Sequence, residues 1–170
     1  MPRPSEQKLF SVKNKVIIIT GGAGFLGMEY TAFLSSRGAR VAIFDIEEEK
    51  TLHAKAASVW RKTGRRALAF SVDITDERAV KRVVRAVLKR FGRIDVLVNN
   101  AAMNPIPGSP ASRLQFSPYE RYPLDLWRKE IEVGLTGAFI VTQAVIPAMK
   151  RRGAGANINI GSIYGAKAPD

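Results

Sequence analysis

An apolar, β-branched run that passes directly into a glycine-rich turn constrains the fold of this chain more than any other feature. The run covers residues 16–20 and leads into G-x-G-x-x-G at Gly22, Gly24 and Gly27. In such a turn the first glycine permits the tight bend, the second lets a pyrophosphate approach the backbone, and the third brings the next helix close to the strand. The helix N-terminus offers free N–H groups and its positive dipole end to phosphates. The pattern predicts a dinucleotide-binding strand–turn–helix unit.

A second β-branched run, residues 40–44, ends at Asp45, eighteen positions after Gly27. This is close to the spacing at which an acidic side chain accepts from the ribose 2′-hydroxyl of a dinucleotide. A glycine turn without a ligand is the alternative. The order of strand, glycine motif, helix and acid favours the dinucleotide, and the acid favours NAD.

Further along, apolar runs with strand character alternate with segments of helical period. Helical connections between strands imply parallel pairing and right-handed crossovers. The sequence predicts an α/β fold, a Rossmann-type doubly wound parallel sheet that stops after strand five, over residues 13–170, with residues 1–12 as a polar N-terminal extension. The predicted strands are 15–20, 40–45, 67–72, 94–99 and 157–162, and the predicted helices are 25–37, 47–63, 76–93 and 124–152. The proline-rich segment 103–123 is predicted to hold no regular element and to form either a functional loop or a surface excursion.

Composition excludes several kinds of site. The chain has no cysteine and one histidine, His53, so we expect no thiolate or histidine-built metal centre. It has no apolar signal core near its start, and we expect a cytoplasmic protein with no membrane partner.

The net charge of +12 raises nucleic-acid binding as a rival function. The basic residues of segment 76–93 read better as the solvated face of an amphipathic helix, so we expect no nucleic-acid partner.

Small polar residues follow three of the predicted strands, at the sheet edge where ligands of α/β proteins bind. Asp73 follows strand three and can accept from an adenine amino group or cap the next helix; the sequence leaves both roles open. Strand four ends in Asn99-Asn100-Ala101-Ala102. Ser162 ends strand five and can hydrogen-bond a substrate carbonyl from there.

In these motifs the sequence resembles the short-chain dehydrogenase/reductase family. The resemblance rests on residues 20–27, Asp45, residues 72–75, 99–102 and 135–139, and residues 157–162, all in the family's order. It implies an NAD(H)-dependent oxidoreductase acting on an alcohol or carbonyl substrate, with Ser162 as the catalytic serine. It also implies that the cofactor is bound by Thr20, Gly21, Gly22, Gly24, Phe25, Leu26, Gly27, Asp45, Asp73, Ile74, Asn100, Ala101 and Ala102.

The sequence departs from the family pattern at three places. No Y-x-x-x-K follows Ser162 before Asp170, since Tyr164 and Lys167 are only three apart. Gly134 stands where the family has a helix asparagine. The glycine spacing, with Phe25 at the usual later glycine position, is more like the family's extended branch.

The absent tyrosine and lysine lead us to expect the N-terminal part of a dehydrogenase that is inactive by itself. A non-catalytic NAD-binding module is the alternative, and a Y-x-x-x-K downstream of Asp170 would decide between them. The resemblance also implies a homo-oligomer when complete, with the 124–152 helix in a dimer interface. We expect the 170 residues alone to be marginally stable and to self-associate. Neither the substrate nor the direction of reaction follows from the sequence.

Overall fold

The computed structural model describes residues 10–103 and 108–162, and within them five strands form one parallel sheet in the order β3-β2-β1-β4-β5. The strands are β1 Val16–Thr20, β2 Arg40–Asp45, β3 Leu68–Ser71, β4 Val96–Asn99 and β5 Ala156–Asn159. The chain runs outward from β1 to β3 and then crosses back to β4. Strand order therefore reverses beside β1, and the carboxyl ends of β1 and β4 meet at the point where such sheets bind ligands.

Helices cover both faces of the sheet. They are α1 Phe25–Ser36, α2 Glu49–Thr63, α3 Glu77–Phe91, α4 Pro110–Gln115, α5 Leu124–Ile131 and α6 Ala138–Arg152, and a π-helical turn, Glu132–Gly137, joins α5 to α6. In β1 the side chains of Ile17 and Ile19 pack toward α1 and α2, whereas Val16 and Ile18 pack toward α3 and α6. A strand buried on both faces explains the continuous β-branched run, and the predicted doubly wound sheet is confirmed.

One prediction about segment 103–123 was wrong, because it contains regular structure. Helix α4 lies within it, and a 3₁₀ turn follows at Tyr119–Arg121. Pro110 occupies the first turn of α4, where its missing N–H costs nothing. The Ser109 hydroxyl caps the helix by accepting from the Ser112 N–H at 3.2 Å. A serine followed by proline is a common helix start. In the sequence analysis the large number of prolines in this segment outweighed that signal. Residues 104–107 of this segment lie outside the described residues.

The fifth strand differs from its predicted bounds. It ends at Asn159, three residues before Ser162, and one more backbone hydrogen bond continues past it, from the Ile160 N–H to the Asn99 carbonyl at 2.9 Å. β5 pairs with β4 alone among the described strands and is exposed along its whole length. Ser162 therefore lies in the loop after the strand.

The long helix from Leu124 to Arg152 is apolar enough and long enough to cross a membrane by the usual test, with an 18-residue window of mean hydropathy 1.5. Core helices of α/β domains meet the same test. Val141, Val145 and Met149 are buried in the cluster that also holds the apolar face of α3. The hydropathy of this helix is thus accounted for in part by its packing on the sheet.

Candidate cofactor site

The glycine-rich turn lies between the carboxyl ends of β1, β2 and β4. The Gly21 N–H donates to the Phe44 carbonyl at 2.8 Å, and Gly21 has φ +61°, in the left-handed region that favours glycine. A Cβ at this position would lie 2.8 Å from the Ala101 Cα. Both the backbone conformation and the neighbouring strand therefore require glycine.

The third glycine of the motif marks the closest approach. A Cβ on Gly27 would lie 2.1 Å from the Gly21 carbonyl oxygen and 2.6 Å from the Gly22 Cα. Gly24 differs, since a Cβ there would meet only the Gly21 carbonyl oxygen, at 3.3 Å. Gly27 thus fixes how closely α1 lies to the turn, while Gly24 leaves the backbone open to a ligand.

The N-terminus of α1 has the features of a phosphate site. Gly24 is its N-cap and offers no side chain to the first N–H groups, and the first turn holds no acidic residue. Phe25 is 89% exposed and Leu26 48% exposed. Free N–H groups at a helix N-terminus bind anions, so this end of α1 is suited to a pyrophosphate.

Asp45, at the end of β2, is buried against the same turn. Its Oδ2 accepts from the Ala23 N–H at 2.9 Å, and its Oδ1 accepts from the Glu47 N–H at 3.3 Å. Each carboxylate oxygen has two lone pairs, so the group can still accept from a ligand hydroxyl. The Lys55 ammonium lies in the same corner, bound to the Ala23 carbonyl at 2.9 Å and to Glu47 Oε1 at 3.0 Å.

Thr20 and Asn100 join β1 to β4 through a set of hydrogen bonds that sequence reasoning missed. The Thr20 Oγ1 accepts from the N–H groups of Asn100 at 3.0 Å and Ala101 at 3.1 Å. The Asn100 Nδ2 donates to the carbonyls of Thr20 and Gly21, at 3.1 and 3.2 Å. Both residues were predicted to bind the cofactor. The contacts described here hold the turn in place.

Asp73 and Ile74 follow β3, as expected, and of the two roles left open for Asp73 the structure excludes helix capping. Its Oδ1 accepts from the N–H and hydroxyl of Thr75, at 2.9 and 2.7 Å. The cap of α3 is Asp76 instead, which accepts from two N–H groups of its first turn. Ile74 is 6% exposed, and a Cβ on Gly137 would lie 2.7 Å from its side chain. The π-helical turn therefore passes tightly over Ile74.

A polar cluster lies between β4, β5 and α6, beside the chain that leads to Ser162. The Asn99 Nδ2 lies 2.8 Å from Asn159 Oδ1, 3.2 Å from Asn157 Oδ1 and 3.1 Å from Thr142 Oγ1. The Asn99 Oδ1 is buried and has no hydrogen-bond partner among the described residues. Ser162 itself is exposed, and Tyr164 and Lys167 lie outside the described residues.

A cavity of about 430 Å³ opens beside Ala102 and was not predicted. It is lined by Ala102, Met103, Gln115, Tyr119, Tyr122, Trp127, Glu130 and Gly134. The Tyr122 hydroxyl donates to Glu130 Oε2 at 2.7 Å, and the Gln115 Nε2 donates to Glu130 Oε1 at 2.8 Å. Burial and the Glu130 carboxylate raise the pKa of Tyr122 to about 12. This phenol stays protonated at neutral pH. The aromatic residues of the proline-rich segment were the sequence signal from which this cavity could have been predicted.

Comparisons with known proteins agree with this geometry. The chain is 34% identical over 154 residues to the uncharacterized oxidoreductase YxjF of Bacillus subtilis, a match covering 91% of this chain and 55% of that protein. It is 37% identical over 158 residues to trans-4-hydroxycyclohexanecarboxylate dehydrogenase of Sinomonas cyclohexanicum, covering 91% and 57%. The crystal structure of an NAD⁺-bound xylitol dehydrogenase superposes with a TM-score of 0.81 at 32% identity, covering 93% of this chain and 56% of that one.

These matches extend along most of the chain, which spans little more than half the length of the relatives. The sequence pattern of the short chain dehydrogenase family matches residues 15–169. The glycine turn, the five-stranded sheet and these similarities lead to one assignment: the chain belongs to the short-chain dehydrogenase/reductase family.

Proposed function

We propose that this chain is the cofactor-binding part of an NAD(H)-dependent oxidoreductase that acts on a small-molecule alcohol or carbonyl substrate. The observation that carries the proposal is Asp45, whose carboxylate is held 2.9 Å from the Ala23 N–H of the glycine turn. In this position it can accept from a ribose 2′-hydroxyl and repels a 2′-phosphate. The relatives named above support the substrate class, since two of them are named as dehydrogenases of hydroxylated compounds.

The described residues fit a dinucleotide. Gly24 leaves space where a Cβ would face a ligand, and the first N–H groups of α1 have no side-chain cap. The turn from Gly21 to Gly27 would hold the pyrophosphate, and Asp45 would bind the adenosine ribose. Residues 100–102 would contact the other ribose. When bound, the nicotinamide supplies the hydride acceptor or donor. Residues 13–170 would form this binding domain.

Ser162 would donate its hydroxyl hydrogen bond to the substrate oxygen and orient it. A serine hydroxyl alone is too weak an acid or base to supply general acid–base catalysis at neutral pH, and such catalysis contributes about 10²- to 10⁴-fold. Tyr122 is poorly suited to exchange a proton, because its hydroxyl already donates to Glu130 at 2.7 Å and its pKa is raised to about 12, which makes it a weaker acid and keeps it from acting as a base. We therefore propose that these 170 residues bind cofactor without appreciable turnover. The alternative is a non-catalytic NAD-binding module. It is favoured by the same lack of a tyrosine and lysine pair and by Gly134, which stands where the family has a helix asparagine.

Removing the charge of Asp45 tests the cofactor assignment. We expect Asp45→Asn and Asp45→Ala to lower the preference for NAD over NADP about tenfold to a hundredfold. A hydrogen bond to a charged group contributes about 1.5–3 kcal/mol, and the Lys55 ammonium, 2.9 Å from the Ala23 carbonyl, would then attract a 2′-phosphate. Dissociation constants for both cofactors, measured by calorimetry with the full chain, give the ratio.

Glu48→Ala is the matched control, because it removes one carboxylate three positions away. Glu48 is exposed and its side chain caps no N–H group. We expect its NAD to NADP ratio to equal that of the unmodified chain. A ratio unchanged in both Asp45 variants would contradict the assignment of this residue, whether or not the affinities themselves fall.

The exposed side of the long helix leads to a prediction about association. Six large apolar residues form one stripe along α5, the π-helical turn and α6: Leu124, Trp127, Ile131, Leu135, Phe139 and Ile146, each 37–65% exposed. Burial of apolar surface contributes about 25 cal/mol per Å², and β5, which pairs with β4 alone among the described strands, adds a strand edge that can pair with another chain. We expect the 170-residue polypeptide to self-associate at micromolar concentration. Leu135→Glu with Phe139→Glu should shift it toward monomer in analytical ultracentrifugation.

Lys129→Glu changes the charge by the same amount on a part of α5 outside the stripe, and should leave the association constant unchanged. A monodisperse monomer for the unmodified polypeptide would contradict the prediction. Equal dissociation in both variants would contradict the role of the stripe.

A further inference from the structure

Nearly all of the chain's excess positive charge lies at one edge of the sheet. Strands begin and helices end at the edge opposite the glycine turn, within segments 10–15, 33–40, 60–68, 88–95 and 149–156. Fourteen of the 27 Lys and Arg residues fall there: Lys13, Lys15, Arg37, Arg40, Arg61, Lys62, Arg65, Arg66, Lys89, Arg90, Arg93, Lys150, Arg151 and Arg152. Asp95 is the one acidic residue in these segments. The rest of the sequence holds 13 basic and 14 acidic residues, so the net charge of +12 belongs to this basic edge.

Most of these cations have no acidic partner. Asp95 is buried and binds Arg93 at 2.5 Å and Arg152 at 2.8 Å, with Lys15 at 3.9 Å. The other eleven are exposed and form no ion pair with a carboxylate of residues 10–103 or 108–162. Attraction to the negative C-terminal ends of helices explains cations in the last helical turns. It does not explain Lys13 or the pair Arg65-Arg66, which precede strands, or Arg40, which begins β2.

Exposed aromatic side chains accompany the cations. Phe10 is 81% exposed, Phe33 59% and Trp60 45%, and all three lie in the segments of the basic edge. The Arg37 guanidinium lies 5.2 Å from the Phe33 ring centre, and the Arg66 guanidinium 4.4 Å from that of Trp60. Aromatic rings beside cations are typical of side chains at a lipid headgroup layer.

The shape of the basic edge favours a flat partner over a linear one. Five strands at a spacing of about 4.8 Å extend it about 19 Å along the sheet. Arg61 and Lys62 of α2 extend it on one face of the sheet, and Lys150 and Arg151 of α6 on the other. A charge pattern spread in two directions does not form a groove for a single strand. The glycine turn and Asp45 lie at the opposite edge and stay accessible during such contact.

We propose that the basic edge is a peripheral docking surface for an anionic phospholipid bilayer. Cations near an anionic leaflet each gain attraction, and apolar side chains that enter the interface add the second contribution that stable attachment requires. This inference changes the sequence-based expectation of no membrane partner, which concerned spanning segments and signal sequences.

Vesicle flotation tests the proposal. We expect the full chain to float with vesicles of phosphatidylcholine and phosphatidylserine, to release as salt is raised, and not to float with phosphatidylcholine alone. The variant Lys62→Glu, Arg65→Glu, Arg151→Glu should lower the partition coefficient at least about tenfold, since each of the three charges is reversed. With Trp127→Phe, Trp60 becomes the one tryptophan, and its emission should shift to the blue on vesicle binding.

The matched control carries the same charge change away from the basic edge, as Lys50→Glu, Arg113→Glu, Lys129→Glu, three exposed positions nearer the cofactor edge. We expect it to keep the unmodified partition coefficient within about twofold. Circular dichroism and NAD affinity verify that both variants fold. Equal losses in the two variants, equal flotation with neutral vesicles, or salt-sensitive binding to duplex DNA without binding to either vesicle would overturn the proposal.

Discussion

We expect Gly27→Ala to lower the free energy of unfolding by about 3 kcal/mol or more and to abolish measurable NAD binding. The added Cβ would lie 2.1 Å from the Gly21 carbonyl oxygen and 2.6 Å from the Gly22 Cα. Overpacking costs typically about 1–3 kcal/mol when side chains can yield. Here both neighbours are backbone atoms, so α1 must move away from β1 and carry its N-terminal N–H groups with it.

Gly134→Ala is the control for this substitution, because it also adds one methyl group inside a helical segment. A Cβ on Gly134 meets no atom within 4 Å. Replacing a helical glycine by alanine stabilises by about 0.5–1 kcal/mol, so this variant should unfold at equal or higher denaturant concentration. Denaturant unfolding and NAD titration on both variants check the pair. An unaltered NAD affinity in Gly27→Ala would show that the close approach at this glycine is dispensable.

The parts of the fold that the sequence predicted are those coded by short segments. The run before Thr20 and the glycine spacing specify a buried strand, a turn and a helix within twelve residues, and each is found in place. Gly64 ends α2 in the left-handed conformation usual for a helix C-cap, at the predicted boundary. Gly92 ends α3 in the same way, inside the predicted helix 76–93, so α3 is shorter than predicted. Local periodicity is sufficient for these elements, because each buries its apolar residues against the sheet.

The features that the sequence did not predict depend on residues far apart in the chain. The bonds of Asn100 to Thr20 cross 80 positions. The cavity beside Ala102 needs α4 and α5 to be placed first. The π-helical turn at Glu132–Gly137 coincides with the tight contact of Gly137 and Ile74. No pattern within a window of helical length contains that information, and the roles of the cofactor residues stay predictions.

Asp95 is a further residue that sequence reasoning passed over, and it joins more elements than any predicted site residue. It is 3% exposed, and its Oδ2 accepts from the Val16 N–H at the start of β1, at 2.9 Å. Arg93 binds both of its oxygens and Arg152, at the end of α6, binds one. Its own backbone carbonyl accepts from the Ala156 N–H at the start of β5, at 3.0 Å. One carboxylate thus connects β1, β4 and α6.

These contacts determine the ionisation of the group. Burial raises the pKa of Asp95, but the hydrogen bonds from Arg93 and the Val16 N–H, together with the attraction of Arg152, outweigh burial. The net result is a pKa below the usual value for aspartate. A carboxyl with a lowered folded pKa stabilises the fold at every pH above its unfolded pKa of about 3.9. That stabilisation is lost as the pH falls toward the folded pKa.

We therefore expect Asp95→Ala to lower the free energy of unfolding at pH 7 by about 3 kcal/mol. Breaking a buried ion pair costs about 3–5 kcal/mol, and the low end applies because the Arg93 and Arg152 side chains are 40% and 30% exposed and can turn to solvent.

Asp95→Asn should cost less, since its amide oxygen can still accept from the Val16 N–H. The difference between the unmodified chain and Asp95→Asn should be constant from pH 7 to 5 and shrink below about pH 4. Urea unfolding across that range measures it, with Asp125→Asn, whose partner Arg128 and own side chain are both exposed, as the control. A difference that stays constant down to pH 3 would mean that the Asp95 carboxylate contributes through its shape and not through its charge.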